Sequence, residues 1–301
     1  VYISFRFRGN ACEVLLNDEM LWGSNHNYIE LIVDGKSVRL QTKTKNDTLS
    51  VTTYLSAANE HTIIVCKNTE ANIGYMELAG IRCEELLQPF PKPQRKIECI
   101  GNSITCGTGS DASSIPCGQG KWQDQHNAWF SYGPLMARKL NAQFHLSSVS
   151  GIGLMRSCCD MNITMPQVFD KVSMRNDSIQ WNFTNYQPDV ITVCLGQNDG
   201  IQDSAKFCLN YISFIQQLRG YYPNAQIILL SSPMADAGLK AFMKKTLTAV
   251  MKKVNKEGDK RVTIFFFSKQ YNSGCDDHPD LAEHQQIAEE LTAAVKKIMK
   301  W

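Results

Sequence analysis

The chain has no apolar run approaching the ~20 residues that cross a bilayer, which excludes a membrane-spanning helix. It has no surplus of charge of one sign. Its 31 basic and 29 acidic residues leave a net charge of +2, and no Lys/Arg block with interleaved aromatics marks a polyanion partner, so no nucleic acid is expected. Lys244, Lys245, Lys252, Lys253 and Lys256 recur at helical spacing and read as a solvated helix face. No signal peptide is visible. The chain opens on VYISFRFRG, without Met and already in strand-like alternation, as a processed or trimmed start does, so that absence excludes no compartment. The 11 cysteines lack the paired spacings of a zinc site or a small disulfide scaffold. No metal constellation stands out and no cofactor is expected. Cys99 and Cys194 sit inside apolar runs and read as buried small hydrophobes. Cys158 and Cys159 are sequence neighbours, which rarely bond to each other.

What is present is globular composition: 43% hydrophobic, 20% charged, and 301 residues, enough for two domains. Residues 1–90 carry a period of two. ISFRFRG alternates Phe5 and Phe7 with Arg6 and Arg8, and Asp34-Gly35 sits between the strand-like halves of YIELIVDGKSVRLQ, a strong hairpin signal. HTIIVCKNT and IGYMELAGIRCE continue the pattern. Short strands with no helical stretch between them predict a β-sandwich. Proline, sparse elsewhere, then takes three of five positions in QPFPKPQRK (Gln88 to Lys96), which reads as a linker, placed over 91–96.

From 97 to 301 short apolar runs alternate with helical-period segments. The expected strands are 97–100, 144–149, 190–195, 227–230 and 262–267, and the expected helices 132–140, 204–220, 239–257 and 281–299. That alternation predicts a parallel sheet covered on both faces, a doubly wound α/β domain of flavodoxin-like type. In such a sheet ligands bind beyond the carboxyl ends of the strands. The loops expected there are Asn102-Ser103, Ser150–Gly153 (SGIG), Gly196–Asp199 (GQND), Ser231–Met234 (SSPM) and Gly274–Pro279 (GCDDHP). A serine, a glycine turn, an asparagine and a histidine thus converge on one rim, the parts that acyl transfer needs.

GNSITCGTG, SGIG, GQND and a late His-Pro, in that order, resemble the four blocks of the SGNH (GDSL-type) hydrolases. With RGNACEVLL and YIELIVDGK in the preceding β-rich half and SGIGLMR in the second, the chain is similar to carbohydrate esterase family 2. The resemblance implies a jelly-roll-like β-sandwich before a three-layer α/β/α hydrolase domain. It implies a serine esterase that removes O-acetyl groups, with a preference for 6-O-acetyl, from plant polysaccharides such as mannan or xylan. The partner is then an acetylated polysaccharide or oligosaccharide, and the location secreted, periplasmic or cell-surface. The first block departs from the usual Gly-Asp-Ser by carrying Asn102, which keeps an acceptor oxygen to brace the turn. The usual acid, three residues before the histidine, is replaced by Cys275. Members of this family can work with a Ser–His dyad whose imidazole a backbone carbonyl orients.

Ser103 is accordingly expected to be the nucleophile, against the plainer role of a helix N-cap. His278 is expected to be its base, since among six histidines it alone lies in the loop after the fifth strand, His284 falling inside the last helix. The resemblance places the oxyanion donors at the backbone N–H of Ser103 and of Gly151 and at the side-chain amide of Asn198, while Asp199 braces its loop. Asp276 is the one nearby carboxylate that could orient His278, and Asp280 reads as the N-cap of the last helix, with Glu283 closing a capping box. Trp122, Trp129 and Trp181 are candidate sugar platforms, because flat faces stack on pyranose rings, although core packing is the commoner use. Two other readings stay open. One is a different SGNH activity, a lysophospholipase or thioesterase, against which the N-terminal sandwich speaks. The other is a carbohydrate-binding protein with a decayed hydrolase domain, against which the intact Ser103, Asn198 and His278 speak.

Overall fold

The computed structural model describes residues 1–175 and 179–301. The N-terminal half holds β1 (Tyr2–Asp18), β2 (Tyr28–Val33), β3 (Lys36–Gln41), β4 (Asn46–Ser50), β5 (Glu60–Lys67) and β6 (Met76–Leu87), all paired antiparallel. β1 organises this half. Its first part pairs with β5, its last part with β4, and β6 runs along both. The register on β6 shifts between Arg8 and Cys12, so an irregular segment divides the strand, as a bulge that bends a strand does. Phe5 and Phe7 from before the bend, and Cys12, Val14 and Leu16 from after it, enter one core with Leu31, Ile63 and Val65.

The Asp34-Gly35 hairpin has the tight form. Val33 pairs with Lys36, and Asp34 and Gly35 both take positive φ, 50° and 83°, as a primed turn requires. Every residue of β2 is buried. One face, with Ile29, Leu31 and Val33, closes the β core. The other presents Tyr28, Glu30 and Ile32 to the second half, where Ile32 packs with Cys66 and Trp129.

The second half holds β7 (Arg95–Gly101), α1 (Ser103–Cys106), α2 (Tyr132–Lys139), β8 (Ala142–Ser148), α3 (Met165–Val168), β9 (Val190–Cys194), α4 (Ser204–Tyr221), β10 (Gln226–Leu230), α5 (Ala237–Lys256), β11 (Val262–Phe265) and α6 (Leu281–Met299). The five strands are parallel in the order β11-β10-β9-β7-β8, the doubly wound order expected. α4 and α5 close one face around Phe207, Phe214, Leu247 and Val250. α2 and α6 close the other around Tyr132, Met136, Ile287 and Leu291. Cys99 and Cys194 are buried in the sheet. Among the described residues no helix is long and apolar enough to cross a membrane.

Two local expectations fail. Asp280 does cap α6, accepting the Glu283 N–H at 2.7 Å, but no capping box closes, because the Glu283 carboxylate turns to the N–H and hydroxyl of Ser273. Cys158 and Cys159, expected to stay apart, are joined as a disulfide, with Cys159 and Asp160 both at positive φ.

Candidate active site

β7 ends at Gly101 and the chain turns at once into α1. A Cβ on Gly101 would lie 2.0 Å from the Thr105 hydroxyl, so only glycine lets the turn close this tightly. Asn102, fully buried, caps the turn: its Oδ1 accepts the Ile104 N–H at 3.1 Å. The acceptor role expected for an aspartate in this block is therefore kept by the neutral amide. Ser103 becomes the first residue of α1, where a backbone N–H has no intrahelical acceptor.

His278 arrives from the far side. Asp276 and Asp277 precede it in left-handed conformation, with φ of 52° and 57°, and this double turn points the Asp276 carbonyl at the imidazole. Nδ1 lies 2.9 Å from that carbonyl oxygen and Nε2 lies 2.8 Å from Ser103 Oγ. A carbonyl only accepts, so Nδ1 carries the proton and Nε2 is left as acceptor for the serine O–H. Asp276 thus orients the histidine through its backbone. Its carboxylate, the group proposed from the sequence, is exposed, as is that of Asp277.

Burial pulls the His278 pKa below the ordinary histidine value, partly offset by the backbone bonds at Asp276 and Cys275 and by the field of the two aspartates. The imidazole is therefore neutral, and able to take a proton, at neutral pH.

Cys275, standing where the usual acid would, is bonded to Cys117, 158 residues earlier. It also donates its N–H to the Gly109 carbonyl at 2.8 Å, and its carbonyl accepts the His278 N–H at 3.1 Å. The histidine loop is thus tied covalently to the segment that follows α1.

The other expected oxyanion donors lie in the loops that follow β8 and β9, at the same edge of the sheet from which α1 leaves β7. Gly151 sits at φ 82°, and a Cβ there would press on Cys158 Sγ at 3.1 Å. The Asn198 amide donates one proton to the Ile152 carbonyl at 2.9 Å, which fixes its plane against the Gly151 turn and leaves its second N–H to point elsewhere. Asp199, buried, accepts the backbone N–H groups of Leu154, Met155 and Arg156 at 2.7 to 3.0 Å. It braces the segment that follows the SGIG turn, not only its own loop.

Of the three candidate tryptophans Trp122 alone is exposed. It is 45% exposed, and its ring meets His126 edge-on at 4.3 Å. His126 is fully buried and held neutral, its pKa pulled down to about 3 by burial and by the neighbouring His278. Trp129 is no platform. It packs in the seam between the halves against Tyr2, Phe144 and the Arg138 guanidinium. Trp181 is no platform either, since it lies against His145, opposite Glu98 in mid-sheet, about 10 Å of strand below the rim.

Sequence reasoning missed Cys117, His126 and a set of residues from the first half. Arg39 of β3 donates to the carbonyls of Asp124 and His126, and Tyr28 of β2 to the Asp124 carboxylate. Glu70 accepts the Ser150 N–H at 2.5 Å. Nothing in the sequence pairs such distant positions. Among the described residues no cluster of three or more histidine, cysteine, aspartate or glutamate side chains could hold a metal ion.

The carbohydrate esterase 2 N-terminal family matches residues 1–93, and the GDSL-like lipase/acylhydrolase family matches residues 99–298. The chain is 32% identical over 314 residues to the cellulase/esterase CelE of Acetivibrio thermocellus, covering 99% of this chain and 37% of that protein. It is 27% identical to an acetylxylan esterase / glucomannan deacetylase of Cellvibrio japonicus, over 95% of this chain and 80% of the other. A family two carbohydrate esterase from Clostridium thermocellum, solved in complex with cellohexaose, superposes with a TM-score of 0.91 at 28% identity, covering 100% of this chain and 93% of that one. The chain thus spans little more than a third of the length of the Acetivibrio relative.

Proposed function

The chain belongs to the GDSL-like lipase/acylhydrolase family and carries a carbohydrate esterase 2 N-terminal domain, and from that premise we propose that it is a carbohydrate acetyl esterase. Its reaction is removal of O-acetyl groups, with preference for the 6-O position, from plant polysaccharides such as mannan or xylan. The observation that carries this reading is the hydrogen-bonded chain Ser103 Oγ–His278 Nε2, His278 Nδ1–Asp276 carbonyl.

Ser103 Oγ attacks the acetyl carbonyl while His278 Nε2 takes the hydroxyl proton. The tetrahedral oxyanion is met by the backbone N–H groups of Ser103 and Gly151 and by the free N–H of Asn198. Each such donor is worth about 3–4 kcal/mol in the barrier. The imidazolium gives its proton to the departing sugar oxygen, leaving acetyl-Ser103. Water, deprotonated in turn by His278, attacks the acyl carbon, and the imidazolium returns the proton to Ser103 Oγ as acetate leaves. Trp122, exposed beside His126, is the sugar platform.

The division into a β-sandwich over 1–90, a linker over 91–96 and a hydrolase domain over 97–301 belongs to the same reading; β6 ends at Leu87 and β7 begins at Arg95. So does an oxidising location, secreted, periplasmic or at the cell surface, which the Cys117–Cys275 disulfide supports.

The test is acetate release from a panel of acetylated mannan, xylan and glucomannan, with Ser103→Ala beside the wild type. Wild type releases acetate and Ser103→Ala does not, with unchanged circular dichroism. Residual turnover above about a tenth would remove Ser103 from the mechanism.

A further inference from the structure

Glu70 lies outside the hydrolase half, in the segment that follows β5, yet its carboxylate ends inside the active-site framework. Oε2 accepts the Ser150 N–H at 2.5 Å and the Cys106 S–H at 3.1 Å. Ser150 immediately precedes Gly151. Cys106 is the last residue of α1, the four-residue helix that opens with Ser103. One oxygen of one side chain therefore bridges the two segments that present the backbone oxyanion donors. Neighbouring bonds close the same bridge: Cys106 Sγ reaches Ser148 Oγ at 3.3 Å, and Thr108 and Ser150 share a hydroxyl–hydroxyl bond of 2.8 Å.

Glu70 is itself held rigidly. Lys67 donates from Nζ to the Glu70 and Thr69 carbonyls and to the Thr69 hydroxyl. Asn68 ties the segment across the seam, accepting the Trp129 N–H on its side chain and the Ala128 N–H on its carbonyl. Burying a carboxylate is costly and raises the pKa of Glu70. An apolar residue here would leave the buried Ser150 N–H without an acceptor. A carboxylate aimed at a backbone N–H next to a reacting centre has a positional use that an apolar group lacks.

We propose that Glu70 is a positioning residue for ester hydrolysis: the β-sandwich half sets the distance between the Ser103 and Gly151 N–H groups through it. This rests on the esterase reading above. A few tenths of an ångström at Gly151 matter because the oxyanion bonds strengthen only in the transition state. Loss of Glu70 should then lower kcat, leave KM nearly unchanged, and weaken binding of a transition-state mimic by the same factor as kcat.

The test measures kcat and KM on 4-nitrophenyl acetate, inhibition by a methylboronic acid, and thermal melting, for wild type, Glu70→Ala, Glu70→Asp and Glu70→Gln. Glu70→Gln keeps an oxygen where Oε2 stands and should retain kcat within about threefold. Glu70→Asp keeps the charge, withdraws the oxygen by one methylene, and should lose about tenfold in kcat with KM within twofold. Glu70→Ala should lose about 10–100-fold, matched by its loss of boronate affinity, all on the scale of a displaced oxyanion donor. Should Glu70→Ala fail to fold, the Asp and Gln pair still decides. An active wild type whose folded Asp and Gln variants both keep kcat within twofold overturns the role. So does a loss of kcat with boronate affinity unchanged. A wild type that hydrolyses no ester overturns the esterase reading, and this role with it.

Discussion

The carboxylate of Asp276 should be nearly dispensable, although the main chain of Asp276 is what orients His278, the proposed base. The bond runs from His278 Nδ1 to the Asp276 main-chain carbonyl at 2.9 Å, and no side-chain change removes that oxygen. What Asp276→Asn removes is one exposed charge near the imidazolium. A unit charge roughly 6 Å away in a water-like medium is worth about 0.7 kcal/mol, and salt reduces it further. The expected fall in kcat is about threefold. Asparagine is the right replacement because position 276 sits at φ 52°, which alanine adopts at a cost that would confuse the result. Removing the acid of a working triad costs about 10⁴-fold. The two mechanisms therefore differ by about three orders of magnitude, well beyond assay error. The assay is kcat and kcat/KM on 4-nitrophenyl acetate, with His278→Ala alongside, which should be as damaging as Ser103→Ala. A thousandfold loss in a folded Asp276→Asn protein would show that the carboxylate swings beneath the ring during turnover, and the dyad would be refuted.

Three further outcomes are expected. Burial holds the His278 pKa below the ordinary histidine value, and the base works only when neutral. Activity is therefore full above that pKa and lost as pH falls through it, so the acid limb of kcat/KM should lie below about pH 6.5; a limb above pH 7 would contradict the burial argument. Asn198→Ala should lower kcat by roughly 10²–10³-fold with little change in KM, whereas a pure KM effect would make Asn198 a substrate-binding residue. Cys117→Ser, which opens the link to Cys275, should cost about 2–5 kcal/mol of stability in thermal or denaturant unfolding. It should also lower kcat several-fold by freeing the histidine loop, and a variant with wild-type kcat would separate that disulfide from catalysis.

Most of the hydrolase half was legible because its signals are local and periodic. The expected helix over 281–299 coincides with α6, and all five expected strands appear within two residues of their observed bounds. The hairpin at Asp34-Gly35 was legible for the same reason, a dipeptide that tolerates positive φ between two alternating runs. The rim followed from topology: once five strands run parallel, their carboxyl ends share an edge, and the loops that carry Ser103, Gly151, Asn198 and His278 all leave that edge. What stayed hidden depends on contacts between distant residues. Trp129 and Trp122 are alike as sequence, yet one fills the seam beside Tyr2 and Arg138 and the other is exposed. Glu283 looked like the second half of a capping box, but Ser273, ten residues upstream, offers it two donors instead. The pairing of Cys117 with Cys275 spans 158 residues, and spacing alone never suggests it.

The exchange of an acid for Cys275 is best understood by separating what a triad acid does. It fixes the tautomer and orientation of the imidazole, and it stabilises the imidazolium formed as the serine loses its proton. In this chain the first task passes to the Asp276 carbonyl, and the geometry of that carbonyl is held by a covalent tie at Cys275 and by two consecutive left-handed residues. The second task is met only in part, by a carbonyl dipole and by two solvent-exposed carboxylates. A base stabilised less in its charged form is a weaker base, consistent with its lowered pKa. Acetyl esters tolerate that weakness better than amides do, since an alkoxide leaving group needs less proton assistance than an amine. On the esterase reading, the larger share of the barrier is then lowered at the oxyanion, by donors fixed before the substrate arrives. The bonds that hold these donors fit that need: three backbone N–H groups on Asp199, the Asn198 amide clamped to Ile152, and the Ser150 N–H held by a residue from the other half of the chain.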